Sequence, residues 1–455
     1  MNKTHEIDMS TGSLLPKLLM FAFPVMLSGF LQLLFNAADL IVVGRFAGSD
    51  ALAQVGATTS LINLIVNLLI GMAIGANVTL ARYFGAKDSR GISDTVHTTM
   101  IVALIGGTII GLIGVIFSKS FLRMMSTPPE ILDGAALYMR IIFIGAPVSA
   151  VYNYGAAIMR AVGDTRRPLY FLMAAGVLNI FLNLFFVIVC KLAVAGVALA
   201  TIISEALSMV LVVRCLMRSH GATYKLELRK LRISGRILFQ LVRIGIPAGL
   251  QGCVFSISNV VIQSAVNSFG AAVISGNTAA SSIDGFMFCC VDSINQTATS
   301  SISQNMGARK YDRVRSVVRI CSAIVVILSI VLAAIAIIFR TPLISIYAEE
   351  KEVIKYGAYR LLVICPLYFT CGLMNMMGGV NRGLGYSIMP TVVSLVGACA
   401  FRLIWVYTAF AAVPTIFMLF VSYPITWSIT AVAHFVCYFI VKKRAFAKNE
   451  ELFAE

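Results

Sequence analysis

Long uninterrupted apolar runs dominate this chain, and the polar positions between them fall at regular intervals. The runs predict twelve helical spans, at about 16–44, 52–78, 95–117, 135–159, 168–190, 192–217, 238–266, 272–303, 316–339, 356–380, 390–411 and 413–441. A helix of roughly 20 residues crosses the hydrocarbon of a bilayer, so each run is long enough to span. Within them apolar residues do not alternate with polar ones, which argues against the strands of a membrane barrel. In lipid only helices and closed barrels satisfy their own backbone hydrogen bonds, so an all-α membrane protein is expected.

The polar punctuation repeats. Pro24, Gly85-Ala86-Lys87, Arg160, Gly163 and Pro168 return as Pro247, Gly307-Ala308-Arg309, Arg382, Gly385 and Pro390. The offset is 223 residues at the first proline and 222 afterwards, so one residue separates the copies. Six spans is an even number, and both copies therefore enter the membrane in the same direction. The expected architecture is two six-helix lobes related by a pseudo-two-fold axis along the membrane normal, with a substrate pathway between the halves. The corresponding division is an N-terminal lobe at 1–217, a cytoplasmic linker at 218–237, a C-terminal lobe at 238–441 and a cytoplasmic tail at 442–455.

Composition agrees: 59% of residues are hydrophobic, 12% are charged, and mean hydropathy is +0.90. No soluble core could bury that fraction, so the lipid bilayer is the expected solvent. The net charge of +16 does not point to nucleic acid, because its placement is topological. Of 36 Lys and Arg, 26 fall on the side of the termini, 7 on the opposite side and 3 well inside spans. That bias predicts a multi-pass protein of the inner or plasma membrane with both termini cytoplasmic. The polar segment Met1–Leu15 gives no expectation of a cleavable signal peptide. Ten cysteines and the histidines His5, His97, His220 and His434 show no metal-ligand spacing, so neither zinc nor disulfides are expected. No phosphate-binding loop or nucleophile–base set is present, and neither an enzyme nor a cofactor is expected.

Of the 20 acidic residues, four lie well inside spans: Asp39, Glu205, Asp284 and Asp292. A carboxylate at that depth costs about 2.5–3.5 kcal/mol or more, and so marks an ion path, a cavity or a partner. Gln32, Asn36 and Asp39 are spaced four and three apart, on one face of the first span. Their second-copy counterparts are Phe255, Asn259 and Ile262, so the acid is confined to the first copy. Asn179 and Asn183 share a face of span five and supply amide oxygens and N–H groups that could support an acid. Their counterparts are Phe401 and Trp405. Arg402, deep in span eleven, requires a counter-charge, and the expected partner is Asp284 or Asp292 in a structural ion pair.

On these residues the chain resembles the multidrug and toxic compound extrusion (MATE) family along essentially its whole length. The resemblance rests on Pro24 and Asp39 with Val43-Gly44-Arg45-Phe46-Ala47-Gly48, and on Gly85-Ala86-Lys87. It continues through Arg160-Ala161-Val162-Gly163-Asp164 with Pro168 and through Gln304-Asn305-Met306-Gly307-Ala308. It implies twelve helices in two lobes and export of organic, often cationic, compounds in exchange for protons or sodium. The family's N-lobe cation site is similar to Asp39, Asn179 and Asn183, with Asn36 nearby. Some members also use an acid in span seven. This chain has Gln251, Asn259 and Gln263 there, which speaks against a second acid-based site.

The expected function is therefore a cation-coupled antiporter for small amphipathic organic compounds, acting as a monomer, with protons preferred over Na+. Gln32, Glu205, Asn259, Gln263, Asp284 and Asp292 are the candidate substrate contacts. The alternative is a flippase for lipids or lipid-linked precursors within the wider superfamily.

Overall fold

A computed structural model describes residues 6–452 apart from 126 and 220. His5 and His220, and the outermost residues of the expected lobe and tail, lie outside the described residues. In chain order the helices are α1 (Leu14–Val42), α2 (Ser49–Gly85), α3 (Ser89–Met124), α4 (Pro129–Ile144), α5 (Ala146–Ala161), α6 (Arg166–Leu184), α7 (Ala193–Arg218) and α8 (Gly235–Asn267). They continue as α9 (Ala271–Gly307), α10 (Tyr311–Ile338), α11 (Arg340–Ser345), α12 (Lys351–Ile364), α13 (Tyr368–Gly383), α14 (Ile388–Ser394), α15 (Phe401–Trp405) and α16 (Ile416–Leu452). The α16 helix runs without a break through the tail residues Lys442, Lys443 and Arg444.

Ten helices or collinear helix runs among the described residues are long and apolar enough to span a membrane. The α4–α5 pair passes together as an eleventh, bent by 46° at Gly145. Pro147 follows two residues later, and a proline there removes an intrahelical hydrogen bond and crowds the previous turn. The twelfth sequence span, 272–303, is α9, whose Ser, Thr and Asn content keeps it out of the apolar set. Its hydroxyls satisfy themselves by bonding one turn back: Thr297 to the Ser293 carbonyl at 2.6 Å, Thr299 to Asn295 at 2.8 Å and Ser303 to Thr299 at 2.7 Å. Small residues also let helices approach closely. The α13 glycines Gly379 and Gly383 lie directly against Asn295, Thr299 and Ile302.

Contacts divide the described chain into two compact units, one of Met1–Asp8 with Leu27–Gly249 and one of Met9–Met26 with Leu250–Glu455. Relative to the sequence division, residues 9–26 go to the second unit, and the linker with the first half of α8 goes to the first.

In the first unit, Gly71 and Gly75 of α2 meet Gly245, Gly249 and the Leu241 carbonyl of α8 at backbone distance. The linker is fastened to the start of α3. The Glu227 N–H donates to His97 Nε2 at 3.1 Å, Arg232 pairs with Asp94 at 2.6 Å, and the Ser234 N–H donates to Thr98 Oγ1 at 3.0 Å. Gly163 turns the chain at φ +89° where the Ile7 backbone leaves no room for a Cβ. The α3 helix buries Gly107, Gly111, Gly114 and Ser118 while exposing Ile105, Ile109, Leu112 and Ile116. Bulky groups face lipid and small ones face protein, as the bilayer permits.

The second unit holds the beginning of the chain through the motif residues at the end of α9. Gln304 Oε1 accepts from the Met9 N–H at 2.9 Å, and Asn305 Nδ2 donates to the Met9 carbonyl at 3.2 Å. Lys310 and Arg313 bind the carbonyls of Ser10 and Gly12 at 2.8 and 3.0 Å. The internal repeat is visible in the backbone: Lys87 (φ 57°) and Arg309 (φ 56°) are left-handed at equivalent helix ends, as are Gly163 (φ 89°) and Gly385 (φ 91°).

The glycine crossing yields a test. A Cβ on Gly71 would lie 2.1 Å from the Gly249 nitrogen, whereas one on Gly106 would meet nothing within 4 Å. Gly71→Leu is expected to cost several kcal/mol, at or beyond the ~1–3 kcal/mol typical of overpacking, because backbone rather than side chain must move. Gly106→Ala should be neutral or stabilising by up to ~1 kcal/mol. Thermal melting followed by size-exclusion chromatography in detergent reads both. Equal melting of the two variants would contradict the crossing.

Candidate functional site

In the first unit, α1 and α6 meet where the Phe35 ring lies on Gly176, a contact that leaves no space for a Cβ. Further along both helices, Asn183 Nδ2 donates to Asp39 Oδ1 and also to Asn179 Oδ1, the latter at 3.1 Å. Asn179 and Asn183 are buried and Asp39 is half-buried. The structure therefore brings together the acid and the two amides that the sequence spacing singled out. Asn36 and Gln32 are exposed on α1, and neither has a hydrogen bond to this group among the described residues.

Two features of this site have no signal in the hydrophobic pattern. Immediately after Asp39, α1 passes into a π-helical turn at Val43–Ala47, and α6 does the same at Phe185–Val189, just after Asn183. The two turns lie against one another. Their Val42, Val43 and Val187 form an apolar lid with Ala51, Val55, Val194 and Val197, and Tyr138 packs against it. A π turn inserts one residue into the helix and re-aims the side chains around it, which is why such turns recur at functional sites. The second feature is an orphan acceptor. Because Asn183 uses its nitrogen for both bonds, its buried Oδ1 has no partner among the described residues.

Glu205 of α7 is half-buried and hydrogen-bonds Ser149 of α5. Tyr138 and Tyr152 are close enough to feel its charge, and Tyr138 also feels that of Asp39. Neither tyrosine was among the residues singled out from sequence.

The second unit overturns one expectation. Arg402 does not pair with Asp284 or Asp292. Asp284 Oδ2 is 2.6 Å from Arg360 Nη2, and the Asp284 carbonyl accepts from the Tyr368 hydroxyl at 3.4 Å. Asp292 accepts from Asn295 at 2.9 Å and Gln296 at 2.8 Å. Arg402 instead lies over the Tyr423 ring, 4.4 Å from its centroid, and donates to Thr426 at 3.2 Å and to Asn259 at 3.5 Å. The physical cause is helix phase: α12 carries Arg360 to the Asp284 face of α9, and α16 carries the tyrosine to Arg402. Arg360 lies near the start of the predicted span 356–380, and its exposure of 4% places it in the interior beside Asp284. Gln263 is occupied by Asn267 and Asn277 at 2.9 and 3.1 Å. A further network joins Arg382 to Gln251 at 2.6 Å, Gln251 to Ser394 at 3.0 Å and Ser394 to His434 at 2.9 Å.

In the Arg360–Asp284 pair the guanidinium is buried and the carboxylate is 17% exposed. Asp284→Ala should therefore destabilise by ~3–5 kcal/mol, since it strands a guanidinium, while Asp284→Leu combined with Arg360→Met should recover most of that loss. Melting temperatures of the three proteins in one detergent test this; a double variant no more stable than Asp284→Ala would disprove the pairing.

Comparison with known proteins matches this architecture. The MatE family model fits residues 24–185 and again 247–408, once in each sequence copy. The probable multidrug resistance protein YoeA of Bacillus subtilis is 28% identical over 383 residues, covering 83% of this chain and 82% of its own. The probable multidrug resistance protein YpnP of the same organism is 27% identical over 397 residues, covering 87% and 88%. A crystal structure of MATE in the bent conformation shares the fold, with a TM-score of 0.87 at 21% identity over 95% of this chain and 96% of that one. A duplicated, multi-pass helical chain that matches the family model in both halves belongs to the MatE family, and is a transporter rather than an enzyme.

Proposed function

We infer that this protein is a cation-coupled antiporter that exports amphipathic organic compounds, cationic ones included, across the cell membrane. The observation that carries the reading is the buried triad in which Asn183 joins Asp39 to Asn179. The multidrug resistance names of YoeA and YpnP support the class of substrate.

The chemistry follows from what an amide can do. A charged Asp39 is acceptor-only and takes the Asn183 N–H; a protonated Asp39 has an O–H to donate and needs an acceptor. Asn183 Oδ1, buried and unpartnered, is that acceptor after a turn of the amide. The Asp39 carboxyl thus finds a partner on Asn183 in either charge state, which is what a proton-coupled switch requires. A sodium ion would find the same oxygens, from Asp39, Asn179 and Asn183, which is fewer than a dedicated site usually offers. Protons are the preferred ion for that reason. Loading and unloading drive export when ion and substrate favour different conformations, since a ligand shifts an equilibrium only by its differential affinity.

Asp39→Asn keeps the shape and removes the titratable group. Coupled export should fall to background while membrane insertion persists, because an amide costs less than a carboxylate in hydrocarbon. Asn183→Ala and Asn179→Ala should weaken export by about tenfold or less, since each removes one supporting dipole. The assay is drug-stimulated cation efflux from proteoliposomes under an imposed proton gradient and, separately, a sodium gradient. Wild-type export by Asp39→Asn under the proton gradient would move the coupling site elsewhere, with Glu205 next in line.

A further inference from the structure

In the second unit the counterpart of the Asp39 triad carries the opposite charge. The repeat aligns Asn36 with Asn259 and Asp39 with Ile262, while Asn179 and Asn183 align with Phe401 and Trp405. Arg402 stands between the last two, on the five-residue α15 turn that is flanked by π-helical segments at Leu395–Ala400 and Val406–Phe410. Its contact with Asn259 therefore reproduces, within its own unit, the meeting of α1 with α6 around Asp39. A guanidinium thus stands next in sequence to a position where the first copy has an amide, and no carboxylate among the described residues pairs with it.

A guanidinium is permanently charged and presents five N–H groups in a planar fork. Arg402 is only 2% exposed, yet two of its hydrogen bonds, to Thr426 and Asn259, go to neutral oxygens, and its Nε has no partner. The neighbouring Ser258 is likewise buried, its hydroxyl bonded only to the Cys399 thiol. The Tyr423 face offsets part of the charge by cation–π attraction, but a ring saturates none of the N–H groups. Asn259, in contrast, is exposed, so the guanidinium can be approached past an amide that is held only by a long 3.5 Å bond. A buried cation, unspent donors and a polar approach together describe an incomplete oxyanion site.

We propose that Arg402, with Asn259, Ser258 and Thr426, binds the oxyanion group (carboxylate, sulfonate or phosphate) of a compound that this protein handles. The proposal rests on the transporter reading and narrows it: the exported compounds include organic anions or zwitterions. Displacing Asn259 lets the fork form paired N–H···O bonds, the geometry in which arginine discriminates oxyanions from neutral groups.

The protein carries its own reporter. Of its two tryptophans, Trp427 is buried and lies edge-on to Tyr423 at 5.6 Å. In a Trp405→Phe background, purified full-length protein is titrated with an amphipathic aryl sulfonate and with its uncharged sulfonamide, reading Trp427 emission. The sulfonate should give a saturable change at a concentration where the sulfonamide gives none. Arg402→Gln should weaken sulfonate binding about tenfold or more. Arg402 is buried and that variant can unfold, so Asn259→Asp provides the second measurement. It supplies an internal carboxylate to the guanidinium, and should raise the melting temperature while abolishing sulfonate binding.

Repeating the titration in nanodiscs with anionic or zwitterionic lipid identifies the source of the oxyanion. Competition by anionic lipid assigns a headgroup, and its absence assigns a soluble compound; either supports the site. Equal response to sulfonate and sulfonamide, response to sulfate or chloride alone, or wild-type binding by a folded Asn259→Asp protein would overturn it. Binding by the wild type without export from proteoliposomes would sink the antiporter reading and leave this site standing. Export together with Arg402-independent binding would do the reverse.

Discussion

Hydrocarbon offers no hydrogen bonds, so every polar group taken into it must find a partner on the chain itself. That constraint explains why the hydroxyls of α9 bond back to their own helix. It also makes the exceptions informative. An unpaired atom costs more in lipid than at a wet surface, so the free Oδ1 of Asn183 and the free Nε of Arg402 mark positions where the fold tolerates an incomplete arrangement. Both lie beside π-helical turns, and both stand on the fifth span of their copy of the repeat, where Arg402 aligns with Ile180.

The two copies share a scaffold and differ in charge. In the first, an acid is held by amides; in the second, a base stands against a tyrosine face, and the acid of the same unit is taken by Arg360. A duplicated chain is free to specialise in this way, because what keeps the backbone repeat intact is the set of left-handed turns at helix ends rather than the charges within the spans. Lys87 and Arg309, or Gly163 and Gly385, fix equivalent chain reversals and leave the helix faces open to divergence.

Much of this was legible in the sequence. Helical spacing within one segment put Asn179 and Asn183 on a single face, and the isolated Asp39 pointed to the helix they would meet. The repeat and the span positions were equally readable, because hydrophobic runs are local properties of the chain. Arg402 was different. Its expected partners lay on another helix, and the rotation of one helix against the next depends on close contacts such as Phe35 on Gly176, which no single-segment pattern encodes. The π turns were hidden for a related reason: one added residue shifts the helix phase without altering composition. That Arg360 would meet Asp284 was hidden for the same reason, since the pairing depends on how α12 sits against α9.

The assignment of residues 9–26 and 238–249 to the units opposite their own sequence copy separates the unit of inheritance from the unit of packing. The first helix of each copy is divided, its leading part counted with the other copy's unit and its trailing part with its own. A boundary drawn from the sequence repeat therefore cuts through contacts that the packing keeps whole, and a fragment made at residue 217 or 238 would lack part of the unit it was meant to isolate.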